Sequence, residues 1–270
     1  MDIKGVKKLL KKNDTYPSKK FGQNFLINQD ILQKIINTAS LSVNDTVLEI
    51  GAGIGNLTLE LAKKADRVIA IEKDRKMCVI LKDVLEKENI KNVKIIDKDV
   101  LEYRTPDIKY KLIANLPYYI TSPVIRKFLE AKRKPKKMIL MVQKEVAQRI
   151  CSKPGKMNLL AVSVQFYAKP EIKFFVSKAC FWPQPKVNSA IIEIIPHKTF
   201  DSDEFNKLFF KIVRAGFSHP RKQLINNLSQ ELKMEKEKVR KWLLKSNLLP
   251  KLRAEALAIK DWMKLTENYN

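Results

Sequence analysis

The 270-residue chain has room for one large domain, or a large one with a small companion, and 45% hydrophobic content supports a real core and excludes global disorder. Lys and Arg outnumber Asp and Glu by 53 to 29, a formal net charge of +24, which points to a polyanionic partner because each phosphate neutralised by Lys or Arg releases condensed counterions. Three scattered cysteines and two histidines exclude a disulfide framework and a zinc site, so no metal is expected.

Residues 1–20 carry seven lysines and two aspartates and read as a mobile basic leader. They lack the apolar run of a signal peptide, and nowhere does the chain approach about 18 consecutive apolar residues. The expectation is a soluble, cytoplasmic protein with no membrane partner. From about residue 29, Ile31, Ile35 and Ile36 recur at helical spacing. Short apolar runs then alternate with helical ones. "TVLEI" (46–50), "RVIAIE" (67–72), "NVKIID" (92–97), "KLIAN" (111–115) and "MILMVQ" (138–143) read as fully buried strands. Between them "LTLELAKKA" and "DRKMCVILKDVLEKE" have helical spacing, so the predicted architecture is α/β, a parallel sheet covered by helices on both faces. "EIKFFV" (171–176) and "AIIEIIPH" (190–197) are expected to complete one edge of that sheet as a pair.

After His197 the pattern becomes wholly helical. Phe205, Leu208, Phe209, Ile212 and Val213 share one face, with Asp201 or Ser202 as the N-cap. The expected organisation is therefore a leader (1–20), an α/β domain (21–197) and a small all-α domain (198–270). That last segment holds 16 Lys+Arg and nine Asp+Glu, a net of +7, consistent with contacts to nucleic acid.

"VLEIGAGIGNLT" (47–58) joins a buried strand to a helix through Gly51, Gly53 and Gly55. Glycine lets the backbone turn sharply and approach a ligand closely. The dinucleotide fingerprint needs a further glycine where Asn56 stands, which disfavours a nicotinamide oxidoreductase. GxGxG preceded by Glu49 instead suits S-adenosylmethionine. Glu72, at the end of the second strand, is placed to accept the ribose hydroxyls, and Asp99 to accept the adenine amine, with Asp97 as the competing candidate. All three strand ends fall on the carboxyl edge of the sheet, where such folds bind their ligands.

"NLPYYITSPVI" (115–125) follows the fourth strand on the same edge. The side-chain oxygen of Asn115 and the carbonyl of Leu116 can accept the two hydrogens of an exocyclic adenine amine, directing its lone pair at a methyl donor. Pro117 fixes that backbone. Tyr118 can stack on a flipped base and favour a nearby cation. Tyr119 is undecided between packing under the next helix and lining the base pocket.

"FGQNFL" (21–26), "EIGAGIGNLT", "NLPYYITSPVI", "MVQKEVAQRI" (141–150) and "FWPQPKVNSA" (181–190) together resemble, in order, the signature blocks of the ribosomal RNA adenine N6-dimethyltransferases. "FSHPRKQLINNL" and "NLPY" resemble the small-subunit branch (KsgA/RsmA type) rather than the large-subunit resistance methylases. The resemblance runs from about Phe21 to Leu265. It implies a Rossmann-like S-adenosylmethionine-dependent methyltransferase domain with a mostly parallel seven-stranded sheet, followed by a helical C-terminal domain that contacts rRNA. It further implies Asn24 and Leu26 in a cofactor lid with Gly51, Gly53, Glu72, Asp99 and Asn115. Asn115, Leu116, Pro117 and Tyr118 would form the catalytic segment, and Phe181 a second aromatic against the target base. The implied reaction is N6,N6-dimethylation of two adjacent adenines in the 3′-terminal hairpin of small-subunit (16S) rRNA. The implied partner is the immature small ribosomal subunit, met by a monomer. The chain departs from the family pattern at Ala52 (commonly Pro), at Asn188 (commonly Asp) and in "SHPRK", where an arginine-rich segment is usual. A non-catalytic ribosome-assembly factor is the alternative, which an intact catalytic block disfavours.

Overall fold

The computed structural model describes residues 1–197 and 202–269. The first elements are α1 (Ile3–Lys12), β1 (Phe25–Leu26), α2 (Gln29–Ala39) and β2 (Thr46–Ile50). Then come α3 (Asn56–Ala62), β3 (Arg67–Glu72), α4 (Arg75–Lys87), β4 (Val93–Asp97) and β5 (Lys111–Asn115). A 3₁₀ turn at Tyr118–Ile120 leads into α5 (Thr121–Leu129), β6 (Met138–Gln143), α6 (Lys144–Ile150) and α7 (Leu159–Gln165). β7 (Ala168–Val176), β8 (Phe181–Trp182) and β9 (Ser189–Pro196) complete the strands. Four helices close the chain: α8 (Asp203–Gly216), α9 (Leu224–Leu232), α10 (Lys236–Lys245) and α11 (Ile259–Glu267).

The chain forms two compact units, one of Met1–Ala147 with Lys169–Pro196, the other of Gln148–Ala168 with His197–Asn270. The first holds a seven-stranded sheet in the order β4-β3-β2-β5-β6-β9-β7. β3–β4, β2–β3, β2–β5 and β5–β6 are parallel pairs, whereas β9 runs antiparallel to β6. Alternate residues Val47, Val68, Ile113 and Ile139 pack with Leu32, Ile35 and Ile36 of α2 in one core cluster. Residues of opposite parity, Leu48, Leu112 and Leu140, are also fully buried, so both faces of the sheet are covered. Each such side chain contributes roughly 1.5–3 kcal/mol relative to exposure. β4 departs from the expected full burial: Lys94 and Asp97 are exposed and Val93, Ile95 and Ile96 only half-buried, because it is an edge strand with one neighbour.

Residues 1–20, expected as a mobile basic leader, contain helix α1. Asp2 caps α1 by accepting from Gly5 N at 2.8 Å, and Val6 and Leu10, one turn apart, are buried with Phe25, Ile54, Met77 and Ile80. A second small sheet, invisible in the sequence pattern, pairs β1 with β8 in the register Phe25↔Trp182 and Leu26↔Phe181.

In the second unit Ser202 caps α8, accepting from Phe205 N at 3.1 Å; the other expected candidate, Asp201, lies outside the described residues, as does the expected boundary at 198. Phe209, Ile212 and Val213 of α8 are buried. Phe166 stacks on Phe209 at 4.1 Å between ring centroids, and the Glu255 carbonyl accepts from Gly155 N and Met157 N. These contacts draw 148–168, which the sequence reading assigned to the α/β domain, into the helical unit. Trp242 Nε1 donates to the Leu265 carbonyl at 2.8 Å, tying α10 to α11. Among the described residues no helix is long and apolar enough to cross a membrane.

Candidate active site

A cavity of about 810 Å³, counting its open mouth, lies at the carboxyl ends of β2, β3 and β5. A second cavity of about 420 Å³ shares Phe21, Gly51, Glu72 and Pro117 with it, so the two make one crevice.

The turn after β2 is shaped by backbone that only glycine adopts easily. Gly51 has φ of +73° and Gly53 φ of +55°. A Cβ on Gly51 would sit 3.4 Å from the Asn115 carbonyl oxygen, and one on Gly53 would lie 3.3 Å from the Phe25 ring. The missing side chains are therefore part of the cavity. Gly53 N donates to Glu72 Oε2 at 2.8 Å, which fastens the turn to the end of β3.

Glu72 Oε1 accepts from Lys73 N and Asp74 N, both at 2.9 Å. Among the described residues Oε2 has the single donor Gly53 and so keeps an acceptor site for a ligand hydroxyl. Burial raises the Glu72 carboxyl above its ordinary range, partly offset by these three N–H bonds. Asp99 lines the second cavity and Asp97 does not. Asp99 Oδ2 accepts from Lys73 Nζ at 2.7 Å and Oδ1 from Leu101 N at 2.8 Å, and the Lys73 bond holds its carboxyl below the usual range. Asp97 is instead exposed and pairs with Arg75 at 3.3 Å.

Asn115 ends β5 with its side-chain Nδ2 donating to the Asn24 carbonyl at 3.2 Å. That bond commits the donor half of the amide and leaves Oδ1 as its acceptor half. Asn24 in turn donates to the Gly22 carbonyl at 3.1 Å, and the Leu26 carbonyl accepts from Asn56 Nδ2 at 2.8 Å. Asn24, Leu26, Asn115, Leu116, Pro117 and Tyr118 all line the larger cavity. The Tyr118 hydroxyl bonds Ser189 Oγ at 2.8 Å, and half-burial raises its pKa, so the ring is fixed and its hydroxyl neutral. Histidine lines neither cavity among the described residues. Nor, among the described residues, is there a group of three His, Cys, Asp or Glu side chains placed to hold a metal.

Two aromatic residues behave differently from expectation. Phe181 is only 3% exposed, lines neither cavity and packs with Leu26, Val176 and Ile191. Alternation along β8 turns it into the core, while Trp182 faces the cluster under α1. Tyr119 neither packs under α5 nor lines the larger cavity: it is 60% exposed at the rim of the smaller one, beside Asp99.

Phe21 and Gln23 escaped the sequence reading, and the burial of Glu49 was not foreseen. Phe21, inside the quoted block "FGQNFL", lines both cavities. Gln23, in the same block, accepts from Ser18 N and donates to Asp74 Oδ2, both at 2.8 Å, clamping segment 21–26 to the start of α4. Glu49 is 1% exposed, lines the larger cavity and keeps Oε2 without a hydrogen-bond partner among the described residues. Burial pushes its carboxyl up to about 8. At the departure Asn188, Oδ1 accepts from Lys178 N at 3.0 Å, the bond an Asp oxygen would make equally well.

Comparison with known proteins places the chain among methyltransferases. The family described as "Ribosomal RNA adenine dimethylase" matches residues 16–270. A ribosomal RNA small subunit methyltransferase A from Dehalococcoides mccartyi strain CBDB1 is 45% identical over 257 residues, covering 93% of this chain and 88% of its own. A dimethyladenosine transferase from Plasmodium falciparum has the same fold with a TM-score of 0.79 and 29% identity, over 89% of this chain and 95% of its own. The 23S rRNA methyltransferase ErmE superposes with a TM-score of 0.74 at 25% identity, over 91% and 99%.

Proposed function

Because the chain belongs to the ribosomal RNA adenine dimethylase family, we propose how its residues divide the work. The protein is an enzyme that transfers methyl groups from S-adenosylmethionine to N6 of adenine in small-subunit rRNA. The finer reading is that two adjacent adenines of the 3′-terminal hairpin are each dimethylated, by a cytoplasmic monomer acting on immature small subunits during their biogenesis. The net charge of +24 supports an RNA substrate, and "NLPY" with "FSHPRKQLINNL" supports the small-subunit branch.

The crevice fits the cofactor. Gly51 and Gly53 leave a cradle that any Cβ would fill, and Glu72 Oε2 keeps an acceptor site beside it. Glu72 would take a ribose hydroxyl, Asp99 the adenine amine, and Asn24 and Leu26 would cover the bound molecule. S-adenosylmethionine supplies an electrophilic methyl group on a sulfonium.

The observation that carries the reading is Asn115, fixed by Asn24 and lining the same cavity as Glu72 and the glycine turn. An adenine amine is a poor nucleophile because its lone pair is delocalised into the ring. Asn115 Oδ1 and the Leu116 carbonyl accept its two hydrogens, which favours a pyramidal nitrogen with a directed lone pair. Pro117, with φ of −54°, holds that carbonyl in position. Tyr118 stacks on the extruded base. No residue acts as a base, since the methylated nitrogen is acidic enough to lose its proton to water. Phe181 supports β1 from the core instead of touching the base. Incubation with labelled S-adenosylmethionine and unmethylated small subunits, followed by mass spectrometry of the 3′-end fragment, tests the reading: N6,N6-dimethyladenosine is expected, and its absence overturns it.

A further inference from the structure

Helix α1 lies outside residues 16–270, the part of the chain that the family description matches. It carries Lys4, Lys7, Lys8, Lys11 and Lys12, a strict i, i+3, i+4, i+7, i+8 series that puts five ammonium groups on one face. All five are exposed, and none has a carboxylate within 4.0 Å among the described residues.

The helix dipole favours only Lys11 and Lys12, in the last turn, and does not account for the rest of the stripe. Like charges three and four residues apart repel, and Lys4 in the first turn opposes the helix dipole, where Asp2 at the N-cap is the one acid. The helix holds regardless, because Val6 and Leu10 are buried on its other face. They pack in one cluster with Phe25 and Ile54, both of which also line the larger cavity. Lys7 is further placed by the Trp182 ring, 5.5 Å from its centroid. The basic face is thus mounted on the wall of the cofactor cavity.

We propose that α1 is an electrostatic rail that binds the phosphate backbone of the rRNA substrate beside the cavity. The inference rests on the rRNA reading of the preceding subsection. An anionic membrane is the lesser fit, because a helix that binds at a lipid surface needs its apolar face free and that of α1 is already buried. RNA needs only the charges, spaced to meet successive phosphates, and gains by releasing their counterions.

The test uses the full-length protein with Lys4→Gln, Lys7→Gln, Lys8→Gln, Lys11→Gln and Lys12→Gln together, beside a second variant with all five changed to Arg. Neither touches Asp2, Val6 or Leu10. With unmethylated small subunits, KM is expected to rise at least about tenfold in the Gln variant, with kcat and S-adenosylmethionine affinity unchanged. Its log–log dependence of RNA affinity on salt should flatten by about 0.7–0.9 for each phosphate that is no longer neutralised. The Arg variant should keep wild-type KM and slope. An unchanged KM and salt slope in the Gln variant overturns the proposal, as does an Arg variant as impaired as the Gln one. Wild-type binding to phosphatidylserine vesicles, abolished in the Gln variant while its RNA slope stays put, would likewise overturn it in favour of a membrane. Failure of the wild type to form dimethyladenosine would instead sink the rRNA reading, and the salt slopes would still decide what α1 binds.

Discussion

The turns after β2 and β5 leave the same edge of the sheet and build the crevice by opposite means. The first is made of missing side chains: Gly51 and Gly53 take left-handed backbone so that nothing stands where a ligand must lie. The second is made of present ones: an amide held by Asn24, a stiff proline and a tyrosine pinned to Ser189. One turn provides room and the other provides acceptors. They touch, since a Cβ on Gly51 would press on the Asn115 carbonyl. Room and chemistry are therefore separable only in part.

Removing the acceptor should have the largest effect. Asn115→Ala is expected to lower methyl transfer to small subunits about 100- to 1000-fold, the usual loss when one polar group aimed at the reacting atoms is deleted. A loss under about fivefold, by single-turnover assay, would remove Asn115 from the chemistry. Next comes Glu49, which ends in the cavity just before the glycine turn. Its buried carboxyl, raised from an ordinary 4.5 to about 8, keeps a proton in the folded protein that the unfolded chain has already lost. The stability this contributes is complete below about pH 4.5 and lost as pH rises through 8. Wild type should thus lose up to about 1.4 kcal/mol per pH unit in that window, and Glu49→Gln should flatten the profile, as read by urea denaturation.

Filling the room should weaken the cofactor before it touches the chemistry. Gly51→Ala places a side chain in left-handed backbone, worth about 1–2 kcal/mol of strain, and about a tenfold loss of S-adenosylmethionine affinity by calorimetry is expected. The smallest effect separates β8 from both turns. Phe181→Leu should leave kcat within about threefold and lower stability by about 1 kcal/mol, because Phe181 packs in the core. A large loss of kcat with intact stability would return Phe181 to the base pocket.

How much of this was legible in the sequence follows from how local each signal is. The strands of the sheet read directly, because five short apolar runs between helical spacings have few other solutions, and GxGxG and "NLPYY" each carry their chemistry within a few residues. The burial of β4 did not read, since its edge position is a fact about topology and not about its own residues. β1 and β8 are two residues each, too short for any periodicity. The apolar pair Val6 and Leu10 was visible one turn apart, but five lysines masked it. The helical unit's claim on 148–168 depends on Phe209 and Glu255, far along the chain. The inward turn of Phe181 did not read, because a motif fixes a residue's position and not which side of a strand it faces.

The bond from Asn115 to the Asn24 carbonyl has a consequence of its own. Segment 21–26 lines the cavity, yet it also grips the amide proposed to meet the substrate. Should that segment swing aside, Asn115 is left without the acceptor that distinguishes its donor half from its acceptor half, and the amide becomes free to rotate. On the proposed roles, an uncovered pocket would thereby be an unarmed one: a single hydrogen bond would interlock closure with readiness.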